Sequence, residues 1–266
     1  PPEAAEVLKE INKIIESLIK KTTVKKVPSV AMESTVTQEG AKTNTAKNKE
    51  QDQSGGQGQN APQSQQSQSE ASKNTGAQQQ APSAVSNWQD ETASLKSILR
   101  SWNMLEPEAV KGGLSAGARD SFETSLEQLS KALSQQNLDF ALMAAVLLYR
   151  NFGEVAKSLN MSVPPGFFQV KYEAMAAMAF AAQQDWEQAS AHITNIQDPW
   201  NRLKVQSQKA SQDILMKTDF AVTDLENAVN SKQLSLVIIK GDILMKNLKA
   251  LEQKLSGQQG GGQGGQ

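Results

Sequence analysis

From Thr37 to Ala84 the chain contains no Val, Leu, Ile, Met, Phe, Tyr or Trp. A stretch of that kind has almost no apolar surface to bury, so nothing offsets the entropy lost on ordering it, and disorder is expected. Between Gln51 and Ser83 it is rich in Gln, Ser and Gly, as in the run Gln63 to Ser69. Behaving as a flexible coil, residues 28–86 would have an r.m.s. reach of about 40 Å. The reading is a passive spacer, with a Gln-rich assembly segment as the alternative. This stretch divides the 266 residues into four expected parts: an N-terminal amphipathic helix over 1–27, a disordered linker over 28–87, a helical domain over 88–256 and a disordered Gly/Gln tail over 257–266.

Before the linker, Val7, Leu8, Ile11, Ile14, Ile15, Leu18 and Ile19 fall at helical spacing and make one apolar stripe. Pro2 and Glu3 suit a first turn, where a missing N–H costs nothing and an acid faces the positive end of the helix dipole. The stripe predicts a helix from Pro2 to Lys21. Its apolar face is expected to dock on the main domain or on a second copy. The alternative is a membrane-surface or partner-binding helix, because lysines surround and follow it.

After the linker, three segments align at a spacing of 48 residues: Leu133 to Ala141, Ala181 to Ala189 and Val229 to Val237. Each reads as a helix end, a tight polar turn and a new helix start, with Asn137 and Asp185 as natural N-caps. Apolar positions recur in register: Leu138, Trp186 and Leu234; Phe152, Trp200 and Leu248; Val155, Leu203 and Leu251; Leu129, Ala177 and Leu225. The fold class expected is therefore all-α. A leading helix at 88–105 precedes three antiparallel hairpins at 118–135 with 138–159, 166–183 with 186–207, and 210–230 with 233–255. The hairpins either close into a bundle or stack as a short repeat array, with a separate N-terminal helix and a disordered linker before them. Gly112, Gly113 and Gly117 are expected to break the chain after the leading helix. Pro164 and Pro165 should stop the first hairpin, and Pro199 should kink or restart the fifth helix near Asp198.

The residue inventory excludes much chemistry. There is no cysteine, so disulfides and thiolate chemistry are out. His192 is the single histidine, and neither Gln188 nor Ile196 gives it a ligand or acid one turn away. No G-x-S-x-G, G-x-x-x-x-G-K or G-x-G-x-x-G sequence occurs, so neither an enzyme nor a bound cofactor or metal is expected. Charge is balanced, 27 basic against 28 acidic residues, with no concentration of Lys and Arg that would read as a nucleic-acid face.

Two groups remain as candidates. Phe152, Phe167, Phe168 and Tyr172 flank the Pro164-Pro165-Gly166 turn; they read as core, or as a rim that presents aromatic surface to a ligand or peptide. Met143, Met161, Met175, Met178, Met216 and Met245 read as gap-fillers between helices, or as the lining of a flexible pocket for an apolar ligand. Met104 does the same beside the leading helix.

The turn Ala181-Ala-Gln-Gln-Asp185-Trp186-Glu-Gln-Ala189 resembles those of tetratricopeptide-like helical hairpins, with a longer period and without that family's Trp, Gly, Tyr and Pro positions. The plan of a polar tether before a helical domain resembles exported bacterial lipoproteins of unknown function. That resemblance implies an exported, cell-surface protein, lipid-anchored through a removed leader, and a start at Pro1-Pro2-Glu3 without Met is what a processed product would show. The expected function is a tethered, non-catalytic module for a protein or a small apolar ligand. The alternative is an assembly protein that oligomerises through the N-terminal helix.

Overall fold

The structure, a computed structural model, describes residues 1–27, 87–207 and 212–258. The expected linker and most of the expected tail lie outside the described residues. Among those described, all regular structure is helical: α1 (Pro2–Lys26), α2 (Gln89–Lys111), α3 (Ala116–Ser134), α4 (Leu138–Ala156), α5 (Pro165–Ala182), α6 (Trp186–Asn195), α7 (Gln197–Gln206), α8 (Gln212–Asn230) and α9 (Leu234–Gln258).

The 48-residue repeat is visible in the backbone. Gln136, Gln184 and Lys232 each adopt a left-handed conformation, with φ of 52°, 63° and 53°, one per repeat at the same position. In the first two turns the helix closes as a Schellman motif: Asn137 N donates to Ala132 O and Asp185 N to Phe180 O, satisfying carbonyls the helix leaves free. The next residue then caps the next helix. Asn137 Oδ1 accepts from Phe140 N at 3.0 Å, and Asp185 Oδ1 from Gln188 N at 3.1 Å. One residue thus ends one helix and starts another, which is why the turns are so short.

The positions in register are the core. Leu129, Ala177, Leu225, Phe152, Trp200, Leu248, Val155, Leu203 and Leu251 are all buried. α3 pairs with α4, α5 with α6 and α7, and α8 with α9, as the hairpin reading expects. The fifth predicted helix is broken at Ile196 into α6 and α7. Pro199 has no N–H to offer the carbonyl of Asn195, so the ladder is interrupted there.

α1, separate in sequence, is not separate in space. It packs along α2 and across α4, so that α1 and α2 form a fourth helical pair. Val7, Leu8, Ile11, Ile14, Ile15 and Leu18 are buried in that contact. A fully buried aliphatic side chain contributes roughly 1.5–3 kcal/mol, so this stripe is ample reason to dock. The helix runs past Lys21 to Lys26, whose ammonium donates to Asp139 Oδ1 at 2.5 Å and to Ala182 O at 2.7 Å, tying the end of α1 to α4 and α5.

Other boundaries shift for local reasons. α2 continues through Pro107 to Lys111, because Leu105 and Ala109 on either side are both buried and packing holds the turn together. Gly117 lies in the first turn of α3 rather than in a break, since Ser115 Oγ accepts from Ala118 N at 3.2 Å and starts the helix earlier than expected. α9 carries Gly257, which sequence placed in the tail.

α5 sits at the centre, touched by α4, α6, α7 and α9. It is apolar nearly all round, with Ala174, Ala176, Ala177, Ala179, Ala181 and Ala182 buried, as a helix enclosed by others must be. Small side chains let neighbours come close. A Cβ added to Gly241 of α9 would lie 2.3 Å from Met178 Sδ of α5.

Candidate functional site

Of the four aromatics singled out in the sequence, three are inside the protein. Phe152, Phe167 and Phe168 are buried. They belong to an aromatic chain that crosses four helices: Trp102 of α2 to Phe122 of α3 at 4.5 Å between centroids, Phe122 to Phe152 of α4 at 6.2 Å, and Phe152 to Phe168 of α5 at 6.1 Å. The rim reading of these three is thereby corrected. Pro165 opens α5 directly, which turns Phe167 and Phe168 inward against α4 rather than out along a loop. Tyr172 alone is half-buried. It meets His192 edge-on at 5.7 Å, with the Arg150 guanidinium 5.5 Å from its ring centroid.

His192 has an acid that its own helix could not supply. Its Nδ1 lies 2.7 Å from Glu173 Oε2 of α5, and its ring stacks on Phe180 at 5.2 Å. With Tyr172 beside it, the group joins α5 to α6.

The concave surface lies elsewhere. α1 and α9, the first and last helices described, barely touch, and between them runs a groove of about 1050 Å³. On α1 its lining extends from Ala5 to Thr23, about 27 Å at the helical rise. α5 supplies Lys171, Met175 and Met178, and Met161, Ser162 and Val163 from the segment before it also line the groove. Ile15 and Ile19 form one wall, with Ile238, Ile239, Ile243 and Met245 opposite. Ile239 and Ile243 are exposed, at 55% and 40%, although they are large and apolar. Met175 and Met178 are only 2% and 1% exposed even though they line the groove.

The electrostatics of this groove differ from those of the balanced chain. Six lysines line it, Lys9, Lys13, Lys20, Lys171, Lys246 and Lys249, against three acids, Glu16, Asp242 and Glu252. Lys9 pairs with Glu6 at 3.0 Å and, together with Lys13, with Glu10, and Lys246 pairs with Asp242 at 2.6 Å. Lys171 stands apart. It is 8% exposed, and its Nζ lies 5.4 Å from the centroid of the Tyr149 ring. Among the described residues it makes no hydrogen bond or ion pair; Glu252 and Glu16 act on it only through space. Burial pulls its ammonium below the ordinary lysine range, and those two carboxylates only partly restore it. The Tyr149 hydroxyl is buried without a partner, and burial, with Glu252 nearby, pushes it well above the ordinary tyrosine value.

Half of this site was legible in sequence. Met161, Met175, Met178 and Met245, considered there as a flexible apolar lining, do line the groove. Met143 packs on the core instead, and Met104 and Met216 are exposed. Lys171 was not singled out, although a cation embedded in the apolar run from Phe167 to Phe180 is the available signal. Among the described residues no group of three or more His, Asp or Glu side chains could hold a metal, and no helix is long and apolar enough to cross a membrane. No protein-family model, curated protein or solved structure matches this chain.

Proposed function

We propose that this protein is a non-catalytic binding module whose ligand lies in the groove between α1 and α9. One observation carries the reading: a long cleft with a methionine and isoleucine lining whose outer wall exposes Ile239 and Ile243. Apolar side chains left open along a concave surface mark a place where something docks. Methionine suits such a lining because its unbranched side chain re-packs around whatever enters. With α1 docked on α2 and α4, both ends of the polar stretch belong to the same body, so it joins two helices of the module and is not an arm that carries it. By its resemblance in plan to exported lipoproteins, the module would work at the cell exterior. Assembly through α1 is less favoured, because the apolar stripe it would use is already spent on α2 and α4.

Nile red, a neutral dye that brightens in apolar surroundings, tests the groove on the full chain. The folded protein is expected to bind it, and Ile239→Asp with Ile243→Asp to abolish binding while circular dichroism and melting temperature hold. Equal brightening in the double variant would place the apolar site elsewhere. Light scattering on the same sample is expected to give a monomer; a concentration-dependent dimer would favour assembly.

A further inference from the structure

The groove's one buried cation narrows the class of ligand. Lys20 and Lys249 are exposed, whereas Lys171 is buried except where it meets the groove and has no hydrogen-bonded partner among the described residues. Burying an ammonium is expensive unless an anion meets it. Glu252 and Glu16 act on it through space, with Lys249 as an opposing like charge, and none of the three hydrogen-bonds to it. From Lys171 the α5 lining runs one helix turn to Met175 and a second to Met178, both all but closed to water. A polymethylene chain suits this lining, because unbranched methionine side chains re-pack around an apolar occupant.

We propose that the groove binds a single-chain amphiphile with an anionic head, such as a long-chain carboxylate, its head on the Lys171 ammonium and its chain along Met175 and Met178. This rests on the groove being the binding site and adds the chemistry of the occupant. The carboxylate supplies the counter-ion that Lys171 lacks, as a charge-assisted hydrogen bond. The chain fills the cleft between Ile15 and Ile19 on one side and Ile238 and Met245 on the other.

Displacement of Nile red from the full chain separates the two claims. Dodecanoate, dodecyl maltoside and dodecyltrimethylammonium are compared below their micelle-forming concentrations. The wild type is expected to bind dodecanoate about tenfold or more tightly than the neutral amphiphile, and the cation weakest, as one charge-assisted hydrogen bond implies. Lys171→Met is expected to remove the preference while still binding the neutral amphiphile, and Lys249→Met to retain it. Equal binding of dodecanoate and maltoside by the wild type, or an equal loss of preference in both variants, would overturn the proposal while leaving the groove in place. Co-sedimentation with phosphatidylglycerol vesicles, without monomer binding, would overturn it in favour of a membrane surface. Failure of the wild type to bind Nile red at all would remove the groove reading as well.

Discussion

Lys21 of α1 donates to the carboxylate of Glu91 in α2, a buried ion pair between residues 70 apart in the chain. Ser17 Oγ donates to the same oxygen at 2.5 Å, and the Lys21 ammonium lies 5.1 Å from the centroid of the Trp88 ring. These contacts brace the junction where α1 meets the first turn of α2. Removing one partner of a buried pair strands the other charge, which typically costs 3–5 kcal/mol. Glu91→Gln, which keeps the shape, is expected to lower stability by about 3 kcal/mol in urea unfolding. A loss within experimental error would show that the apolar stripe of α1 holds the helix unaided.

The same carboxyl gives the fold an acid limit. Burial pushes Glu91 up, but hydrogen bonds from Lys21 and Ser17 outweigh this and hold it below its ordinary value of 4.5. The unfolded chain therefore takes up this proton first as pH falls. The pair's contribution is complete above about pH 4.5 and is lost as pH falls through the lower folded value. Melting temperature followed from pH 6 downwards is expected to drop more steeply in the wild type than in Glu91→Gln. Parallel curves would assign the acid limb to other carboxylates.

Left-handed residues at the three hairpin turns are a reserve of stability. A non-glycine residue with positive φ carries roughly 1–2 kcal/mol of steric cost, offset in a glycine variant by the freer unfolded chain. Gln136→Gly, Gln184→Gly and Lys232→Gly are each expected to stabilise by about 0.5–1 kcal/mol over the wild type. Calorimetry of the four proteins checks this. Destabilisation at one turn would mean that its side chain makes a contact that outweighs the backbone gain.

These turns also show why the fold was so readable. Spacing identified the helices, and the recurring cap at Asn137 and Asp185 marked where two of the three hairpins turn, since both signals are local. What sequence could not give was the partner of each helix beyond its hairpin. Nothing in residues 1–27 says that Ile11 and Ile14 meet α2 and α4 rather than a second copy. Likewise Phe152 and Phe168 face one another only because α4 and α5 cross at Gly153, where a Cβ would lie 3.2 Å from Phe168 Cβ. The methionines of the groove were visible as a residue type, whereas the isolation of Lys171 depends on what α1 and α9 leave uncovered.

Gly112 holds the junction of α2 with the end of α4. Its φ of −76° is open to any residue, so backbone freedom is not the reason for glycine. A Cβ there would lie 1.9 Å from Ser158 O, an overlap with main chain that no rotamer change relieves. Gly112→Ala is expected to destabilise by about 3 kcal/mol or more through displacement of the α4 end. Gly117→Ala, with nothing within 4 Å of its Cβ and a place in the first turn of α3, is expected to be neutral or slightly stabilising. Similar melting temperatures for the two variants would mean that the α4 end yields freely.

Lys171 couples the candidate site to pH. Burial lowers its pKa from 10.5, with Glu252 and Glu16 opposing and Lys249 adding to the effect. The folded protein therefore releases this proton before the unfolded chain does. Between the folded value and 10.5, unfolding takes up a proton, so stability gains with rising pH across that window. Below the window the full cost of the buried charge is present, and above it the cost is gone. Lys171→Met removes the charge and fits the apolar lining beside Met175, so it is expected to be more stable than the wild type at pH 7. That advantage should shrink as pH climbs towards 10.5. Urea unfolding of both proteins from pH 7 to 10 measures the difference directly. A constant difference would show that Lys171 reaches enough water through the groove to keep its ordinary pKa. A less stable Lys171→Met would show that the ammonium's contact with the Tyr149 ring outweighs its burial.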